Sequence, residues 1–153
     1  SDWSSDVCSS DLAVEERAIR RDLVEMLNDR RHVMPVNAIH DTAVISSFAE
    51  IGHGNLIAAR AIVNAKAAVG NHSLIQTGAI IEHGATVGDY ANIGAGSVVG
   101  SGAIVEDHAF IGSGVTLIAG VKIGKGASVG AGSVVVEDVP AKGRVFGNPA
   151  KKV

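Results

Sequence analysis

The chain has few aromatic residues, one cysteine and three prolines, and these shortages exclude several classes of protein. Phe, Tyr and Trp make up 3% of the 153 residues although 46% are hydrophobic, so small aliphatic side chains must fill the core, which favours a repetitive architecture. A single cysteine excludes a disulfide framework and fits a reducing compartment, and we expect the cytoplasm. No apolar run reaches the roughly 18 residues of a membrane span, and no basic block indicates nucleic-acid binding.

The first residues differ in character from the rest of the chain. Residues 2–12 read Asp-Trp-Ser-Ser-Asp-Val-Cys-Ser-Ser-Asp-Leu and resemble the in-frame translation of a short-read sequencing adapter. We therefore interpret 1–12 as a non-native leader, expect the natural N-terminus to be missing, and leave Trp3 and Cys8 out of the fold reasoning. The three aspartates of this leader account for the whole formal charge of -3, so the remaining chain is neutral.

Residues 13–37 form a separate segment, because all 19 glycines lie at or beyond Gly52. Its apolar residues recur at helical spacing: Ile19, Leu23, Met26 and Leu27. This spacing predicts an amphipathic helix from Val14 to Asn28, followed by a short strand at Val33–Val36. The segment is interpreted as the last helix and strand of a truncated domain, with a helical cap on the following repeat as the alternative.

A six-residue repeat begins at Ile39. Every sixth residue from there to Val135 is Ile, Val or Leu, at seventeen positions without exception, and the fourth residue after each is small. Glycine falls mainly one or three places after the aliphatic residue, where a corner needs a permissive backbone. An α-helix does not fit this period. Short strands joined by tight turns do, so the repeat predicts an all-β coil stacked like a solenoid.

Three hexads carry the repeat most clearly: Ile93-Gly-Ala-Gly-Ser-Val, Ile123-Gly-Lys-Gly-Ala-Ser and Val129-Gly-Ala-Gly-Ser-Val. They resemble the hexapeptide repeats of left-handed parallel β-helix acyltransferases, and the resemblance covers residues 39–153. In that family three hexads make one triangular coil of 18 residues. The resemblance implies a left-handed β-helix of nearly six coils in 38–153, preceded in 13–37 by the remnant of an N-terminal α/β sugar-binding domain.

An 18-residue period also predicts which residues share an outward face. One face carries Leu56, Leu74, Asn92 and Phe110, a second carries Val44, Ile62, Ile80, Val98 and Val134, and the third carries Glu50, Ala68, Thr86, Ile104 and Lys122. Two of the three faces are apolar. Contiguous apolar patches mark interfaces, and two different patches per subunit suit a closed ring, so the homotrimer that the resemblance implies fits this pattern.

The hexad Ile81-Glu82-His83-Gly84-Ala85-Thr86 carries the candidate chemistry. Glu82 stands where Gly is common, so a carboxylate and an imidazole lie together near a corner, as a general base for acyl transfer requires. Together with Ile62-Val-Asn-Ala and Val87-Gly-Asp-Tyr-Ala-Asn-Ile, the stretch Gln76-Thr-Gly-Ala-Ile-Ile-Glu-His is similar to the branch containing sialic-acid O-acetyltransferases and N-acetyltransferases of nucleotide-linked amino sugars. This similarity implies that His83 is the general base and that Glu82 supports it.

The same resemblance implies acetyl-CoA as co-substrate and a small-molecule sugar as acceptor, with direct transfer to an amine or a hydroxyl. Stacking places Ser101 one coil above His83, roughly 4.8 Å away, where a backbone N–H could bind the developing oxyanion. Asn92 stands where relatives often have a second histidine; it can donate a hydrogen bond but cannot accept a proton. The other residues expected to contact coenzyme A are Ser113, Ala131, Lys151 and Lys152.

Two other classes of protein remain open as alternatives. Some left-handed β-helices are zinc carbonic anhydrases, but His72 and His108 share a corner two coils apart, roughly 9.6 Å, which is too far for one metal ion. We therefore expect no metal. The second alternative is a scaffold without activity. An ice-binding solenoid would need ordered threonine columns, which the sequence does not form, and coenzyme A binding would exclude an inactive scaffold.

Overall fold

The computed structural model describes residues 16–31 and 35–153 of the chain. These residues form one helix, α1 (Arg17–Arg31), and nineteen strands. The strands are β1 (Ala38–Ile39), β2 (Val44–Ile45), β3 (Glu50–Ile51), β4 (Leu56–Ile57), β5 (Ile62–Val63), β6 (Ala68–Val69), β7 (Leu74–Ile75), β8 (Ile80–Ile81), β9 (Thr86–Val87), β10 (Asn92–Ile93), β11 (Val98–Val99), β12 (Ile104–Val105), β13 (Phe110–Ile111), β14 (Thr116–Leu117), β15 (Lys122–Ile123), β16 (Ser128–Val129), β17 (Val134–Val135), β18 (Arg144–Gly147) and β19 (Ala150–Lys152).

The strands stack into three parallel sheets. The second residue of each strand from β1 to β17 is one of the seventeen repeating aliphatic residues, so the predicted period is confirmed. Each strand from β1 to β14 pairs with the strand 18 residues further along, as Leu56 does with Leu74. Sheet A has the order β1-β4-β7-β10-β13-β16-β18-β19, sheet B the order β2-β5-β8-β11-β14-β17, and sheet C the order β3-β6-β9-β12-β15. The chain is therefore a β-solenoid of about six coils.

Small aliphatic side chains fill the interior, as the composition predicts. Ile75, Ile93, Ala79 and Ala91 are all 0% exposed and belong to one continuous core. Each coil contributes branched residues from its strands and small residues from its corners, so the interior is too narrow for aromatic rings. Buried hydroxyls are satisfied by the neighbouring coil: the Ser97 hydroxyl donates to the Gly112 carbonyl at 2.7 Å.

Glycine has two different roles at the corners. Gly96 has a φ of +66°, and a Cβ added there would meet nothing within 4 Å, so its backbone conformation alone requires glycine. Gly94 has no such φ, but a Cβ there would lie 2.5 Å from the Gly112 carbonyl carbon and the Ser113 nitrogen. The sequence analysis attributed both kinds of glycine to a permissive backbone. The structure instead assigns Gly94 to the close approach of the next coil.

These two roles predict different costs for the same substitution. Gly94→Ala should lower the free energy of unfolding by about 3 kcal/mol, because the new methyl group meets backbone that cannot move without separating two coils. Gly96→Ala should cost about 1 kcal/mol, since only the left-handed backbone conformation is penalised. Urea denaturation of both variants measures the difference. Equal losses of stability would contradict this distinction.

Helix α1 lies three residues further along than predicted, at Arg17–Arg31 instead of Val14–Asn28, and Val14 lies outside the described residues. Its buried face is also different from the predicted one. Arg20 and Val24 are 0% and 3% exposed, whereas Ile19 and Met26, both assigned to the apolar stripe, are 48% and 39% exposed. The predicted stripe was therefore only partly correct, because an arginine lies at the centre of the buried face.

The position of Arg20 explains why the buried face of α1 differs from the predicted one. Its guanidinium donates to the Tyr90 carbonyl at 3.4 Å, which places α1 against the edge of sheet A. The outward-pointing residues Leu74 and Asn92 of that sheet are only 2% and 4% exposed. Part of the first predicted apolar face is thus buried within the chain itself.

The predicted strand Val33–Val36 is not found where the structure describes the chain. Residues 33 and 34 lie outside the described part, Pro35 and Val36 belong to no strand, and the first strand is β1. Proline has no N–H to donate to a sheet. Its carbonyl still accepts from the Gly54 N–H at 3.1 Å, so the chain joins the solenoid just before β1.

The C-terminal residues close the last coil. Strand β18 continues sheet A in parallel with β16, and β19 then turns back to pair with β18 in the antiparallel direction. Across the stretches 16–31 and 35–153, no helix has the length and apolar character needed to cross a bilayer.

Candidate functional site

Three columns of corner residues run along the solenoid and connect the sheets. The B–C corner contains residues 64–66, 82–84 and 100–102, the A–B corner contains 94–96, 112–114 and 130–132, and the C–A corner contains 52–54, 70–72, 88–90 and 106–108. Each column stacks at the 18-residue period. His83 and Ser101 lie at the B–C corner and Ser113 and Ala131 at the A–B corner, on either side of sheet B, whereas Asn92 lies on sheet A.

The B–C corner brings His83 and Ser101 together. His83 is exposed, and its carbonyl accepts a hydrogen bond from the Gly102 N–H at 3.0 Å, so Ser101 lies on the coil directly above it, as the stacking predicts. The imidazole is therefore accessible to a substrate that lies along the outside of this corner.

Glu82 is held by a residue that the sequence analysis did not assign to the site. Its Oε2 accepts a hydrogen bond from Asn64 Nδ2 at 2.9 Å, across one coil. Among the hydrogen bonds and ion pairs of the described residues, none joins the side chains of Glu82 and His83. The 18-residue period could have identified Asn64, because it stacks directly below Glu82.

Backbone N–H groups at the B–C corner are available to a ligand. Within the part of the chain that the structure describes, the N–H of Ser101 donates to no protein group, and the same holds for Ala119 one coil above. A free N–H beside an exposed imidazole is the arrangement that stabilises the oxyanion of a tetrahedral intermediate.

The C–A corner shows the opposite arrangement, because side chains of the next coil cap its N–H groups. The His53 N–H donates to Asn71 Oδ1 at 2.9 Å, the Asn71 N–H to Asp89 Oδ1 at 2.8 Å, and the Asp89 N–H to Asp107 Oδ1 at 2.8 Å. This column of polar residues is therefore a structural ladder. It leaves these donors unavailable to a ligand, unlike those at the B–C corner.

Aromatic rings stack on the same C–A corner. His72 and Tyr90 have centroids 5.1 Å apart, and Tyr90 and His108 have centroids 5.2 Å apart with parallel planes. Tyr90 therefore separates the two histidines considered for a metal site. No group of three or more His, Cys, Asp or Glu side chains among the residues of 16–31 and 35–153 is arranged to hold a metal ion.

Burial of His72 gives the fold a predicted dependence on pH. The side chain is 4% exposed, and desolvation together with the neighbouring His53 and Arg20 lowers its pKa from 6.5 to about 4, against the opposing effect of Asp89. Between these values the unfolded chain binds a proton that the folded chain does not. Stability should therefore fall as the pH drops from about 6.5 to about 4, by about 2 kcal/mol.

Comparing the native protein with His72→Asn tests this pH effect. Asparagine tolerates the φ of +56° at this position but does not titrate, so the variant should lose less stability between pH 7 and pH 4.5. Urea unfolding at both pH values measures this. An unchanged pH dependence in the variant would assign the effect to other groups.

The A–B corner brings together Ser113, Ala131 and the C-terminal hairpin. The Gly132 N–H donates to the Ser113 carbonyl at 2.9 Å, so Ala131 lies one coil above Ser113. A Cβ on Gly130 would lie 2.5 Å from the Phe146 ring, which places the start of the hairpin directly above this corner. Lys151 pairs with Phe146 across the hairpin and is exposed.

Basic side chains surround the end of the last coil. Lys142, Arg144, Lys151 and Lys152 line a recess of about 420 Å³ together with two acidic residues, Glu137 and Asp138, and apolar residues such as Val139, so the lining is positive overall. The hairpin therefore adds positive charge close to the A–B corner, which suits a phosphorylated ligand.

Asn92 does not join either group of site residues. It points outward from the middle of sheet A, is 4% exposed, and its Oδ1 accepts from Gln76 Nε2 at 3.0 Å. His83 lies at the corner opposite this sheet in the triangular cross-section, so the two residues cannot meet within one chain.

The repeat matches a known family of proteins. The sequence profile described as bacterial transferase hexapeptide (six repeats) matches residues 66–101 and 102–136. These ranges include Glu82, His83, Ser101 and Ser113. No curated protein sequence matches the chain.

Solved structures extend the match beyond the repeat. Perosamine N-acetyltransferase from Caulobacter crescentus, a histidine mutant in complex with CoA and GDP-perosamine, is 35% identical with a TM-score of 0.89, and the match covers 92% of this chain and 67% of that chain. WeeI from Acinetobacter baumannii is 30% identical (TM-score 0.87, 92% and 68% covered). The acetyltransferase domain of PglB from Neisseria gonorrhoeae in complex with acetyl coenzyme A is 29% identical (TM-score 0.87, 92% and 68% covered).

The solenoid and its similarity to these enzymes define an acyltransferase with a left-handed parallel β-helix. The chain belongs to the bacterial hexapeptide-repeat transferase family. It spans about two thirds of the length of the solved relatives.

Proposed function

We propose that the protein transfers an acetyl group from acetyl-CoA to the amine of a nucleotide-linked amino sugar. The observation that carries this proposal is the 35% identity to a perosamine N-acetyltransferase solved with CoA and GDP-perosamine, over 92% of this chain. An amine is preferred to the hydroxyl of a related sugar, such as a sialic acid, because that relative is an N-acetyltransferase. The single cysteine suits a cytoplasmic enzyme.

In the proposed reaction His83 acts as the general base. The acceptor amine attacks the thioester carbonyl carbon while His83 removes its proton, and a C–N bond forms. The Ser101 N–H binds the resulting oxyanion. When the intermediate collapses, the C–S bond breaks and the imidazolium returns its proton to the leaving thiolate, so the products are an amide and the free thiol of CoA. No covalent enzyme intermediate is needed.

The two groups of site residues support a binding groove shared between subunits. Within one chain, His83 and Ser101 at the B–C corner are separated by sheet B from Ser113, Ala131 and the hairpin at the A–B corner. We propose that a homotrimer brings the B–C corner of one subunit next to the A–B corner of another. The pantetheine arm would lie in that groove, with Lys151 near the phosphates of the nucleotide end.

The outer face of sheet B supports this assembly. Five of its six outward residues are apolar, namely Val44, Ile62, Ile80, Val98 and Val134, the sixth is Thr116, and all six are at least partly exposed. This face adjoins both site corners, whereas on sheet A the outward residues Leu74 and Asn92 are already buried within the single chain. We therefore assign the principal subunit interface to sheet B. The proposed role of Asn92 in cofactor binding would require the residue to become accessible, because only 4% of it is exposed.

Isothermal titration of acetyl-CoA tests the cofactor part of the proposal. The native protein should bind acetyl-CoA at micromolar strength, as should a chain lacking residues 1–12, since the leader has no part in the groove. His83→Ala should bind about as well, because this histidine acts on the acceptor. If none of the three binds while all are folded and trimeric, the protein is a scaffold and the acetyltransferase proposal fails.

A further inference from the structure

A side-chain network at the B–C corner extends from Glu82 to the coil below. Asn64 Nδ2 donates to Glu82 Oε2 at 2.9 Å, and both side chains are half-buried. The two residues are 18 apart in sequence, so this hydrogen bond links consecutive coils directly beside the proposed general base.

The backbone of Glu82 is fixed independently of this hydrogen bond. Its N–H donates to the Val99 carbonyl at 3.0 Å, and its carbonyl accepts from the Ala85 N–H at 3.0 Å. Only the rotation of its side chain remains free, and the amide of Asn64 removes this freedom. Asn64 is thus the group that determines where the carboxylate lies.

The chemical type of the residue that bonds to Glu82 matters as much as its position. Asparagine is a neutral donor, so it holds the carboxylate without cancelling its charge. Lys66, on the same corner, forms no ion pair with Glu82 among the described residues. The residue stacked above Glu82 is Gly100, where a Cβ would lie 2.5 Å from the Leu117 carbonyl oxygen, so no side chain competes from that coil.

We propose that Asn64 is a positioning residue that acts through Glu82 on His83. It fixes the carboxylate of Glu82, the residue next to His83 in the chain, where a negative charge would stabilise the imidazolium that forms as the amine loses its proton. This inference rests on the proposed function, because it requires His83 to be the base. It adds a residue on another coil to the catalytic hexad.

A double-mutant cycle tests the proposal. The steady-state rates of native protein, Asn64→Ala, Glu82→Gln and the double variant are measured with acetyl-CoA and GDP-perosamine. Asn64→Ala should lower kcat about tenfold while KM for acetyl-CoA changes less than about twofold. In the Glu82→Gln background the same change should lower kcat less than about twofold, since the carboxylate it positions is gone.

Asn71→Ala is the matched control. It removes an asparagine from the same coil that also bonds across 18 residues, but at the C–A corner away from His83. It should reduce stability and leave kcat unchanged. Nitrogen NMR tests the hydrogen bond independently of activity. The signal of the Asn64 side-chain amide should shift in Glu82→Gln.

The outcomes separate this inference from the proposed function. The positioning role would be overturned if the losses of kcat from Asn64→Ala and Glu82→Gln were additive in the double variant. It would also be overturned if Asn71→Ala lowered kcat as much as Asn64→Ala does. Either result would leave His83 as the base. If the native protein does not turn over, or if His83→Asn retains full activity in the same assay, the proposed function itself is overturned and the role of Asn64 with it.

Discussion

His83→Asn should lower kcat for acetyl transfer by about a thousandfold, since a general base contributes 10²–10⁴-fold and asparagine cannot accept a proton. The exposed position of His83 means that the change should cost little stability. Acetyl-CoA affinity should stay within about twofold, so the loss appears in kcat and not in KM for acetyl-CoA. Thiol release with GDP-perosamine as acceptor measures both parameters.

The control for this prediction is the same substitution at another histidine. His108 lies at the C–A corner with a φ of +60°, which asparagine tolerates, and it belongs to the stack of rings away from the proposed groove. His108→Asn should keep its kcat within about twofold of the native value. A large loss of activity in His108→Asn, or none in His83→Asn, would contradict the assignment of the base.

Ile80→Arg should convert the proposed trimer into monomers and abolish measurable activity. Ile80 points outward from the middle of sheet B, and a guanidinium buried there without a partner costs about 3–5 kcal/mol at each interface. The fold of the single chain should survive, because the side chain lies outside the core. Sedimentation measures the assembly, and thiol release measures the activity.

Ile104→Arg is the matched change on sheet C. Ile104 is also an outward isoleucine, on the strand next to the last strand of its sheet, and it is 41% exposed. The neighbouring outward residue Lys122 already carries a charge and pairs with Glu106 at 2.8 Å. This variant should remain trimeric and active. If Ile80→Arg stays trimeric, or is active as a monomer, the groove between subunits is not the site.

The coil could be predicted from the sequence because its period fixes almost every position. The aliphatic residue at every sixth position marks each strand from β1 to β17, and the 18-residue stacking correctly placed Ser101 above His83. A regular repeat makes long-range neighbours calculable, which an irregular fold does not allow.

Other features could not be predicted, for physical reasons. The orientation of α1 depends on the contact between Arg20 and Tyr90, 70 residues apart, which no local spacing encodes. The hydrogen bond from Asn64 to Glu82 depends on side-chain rotation, so stacking could indicate that they are neighbours but not that they are bonded. The distance between His83 of one subunit and Asn92 of another depends on how the subunits assemble, which a single sequence does not determine.

Product analysis is the most direct test of the central claim that this solenoid is an acetyltransferase for amino sugars. The protein is incubated with acetyl-CoA and either GDP-perosamine or a nucleotide-linked sugar that has a hydroxyl in place of the amine. Mass spectrometry then identifies the products. We expect one acetyl group on the amino sugar, none on the hydroxyl sugar, and neither product with His83→Asn. Acetylation of the hydroxyl sugar alone would contradict the proposed acceptor, and no acetylation of either sugar would contradict the proposed function.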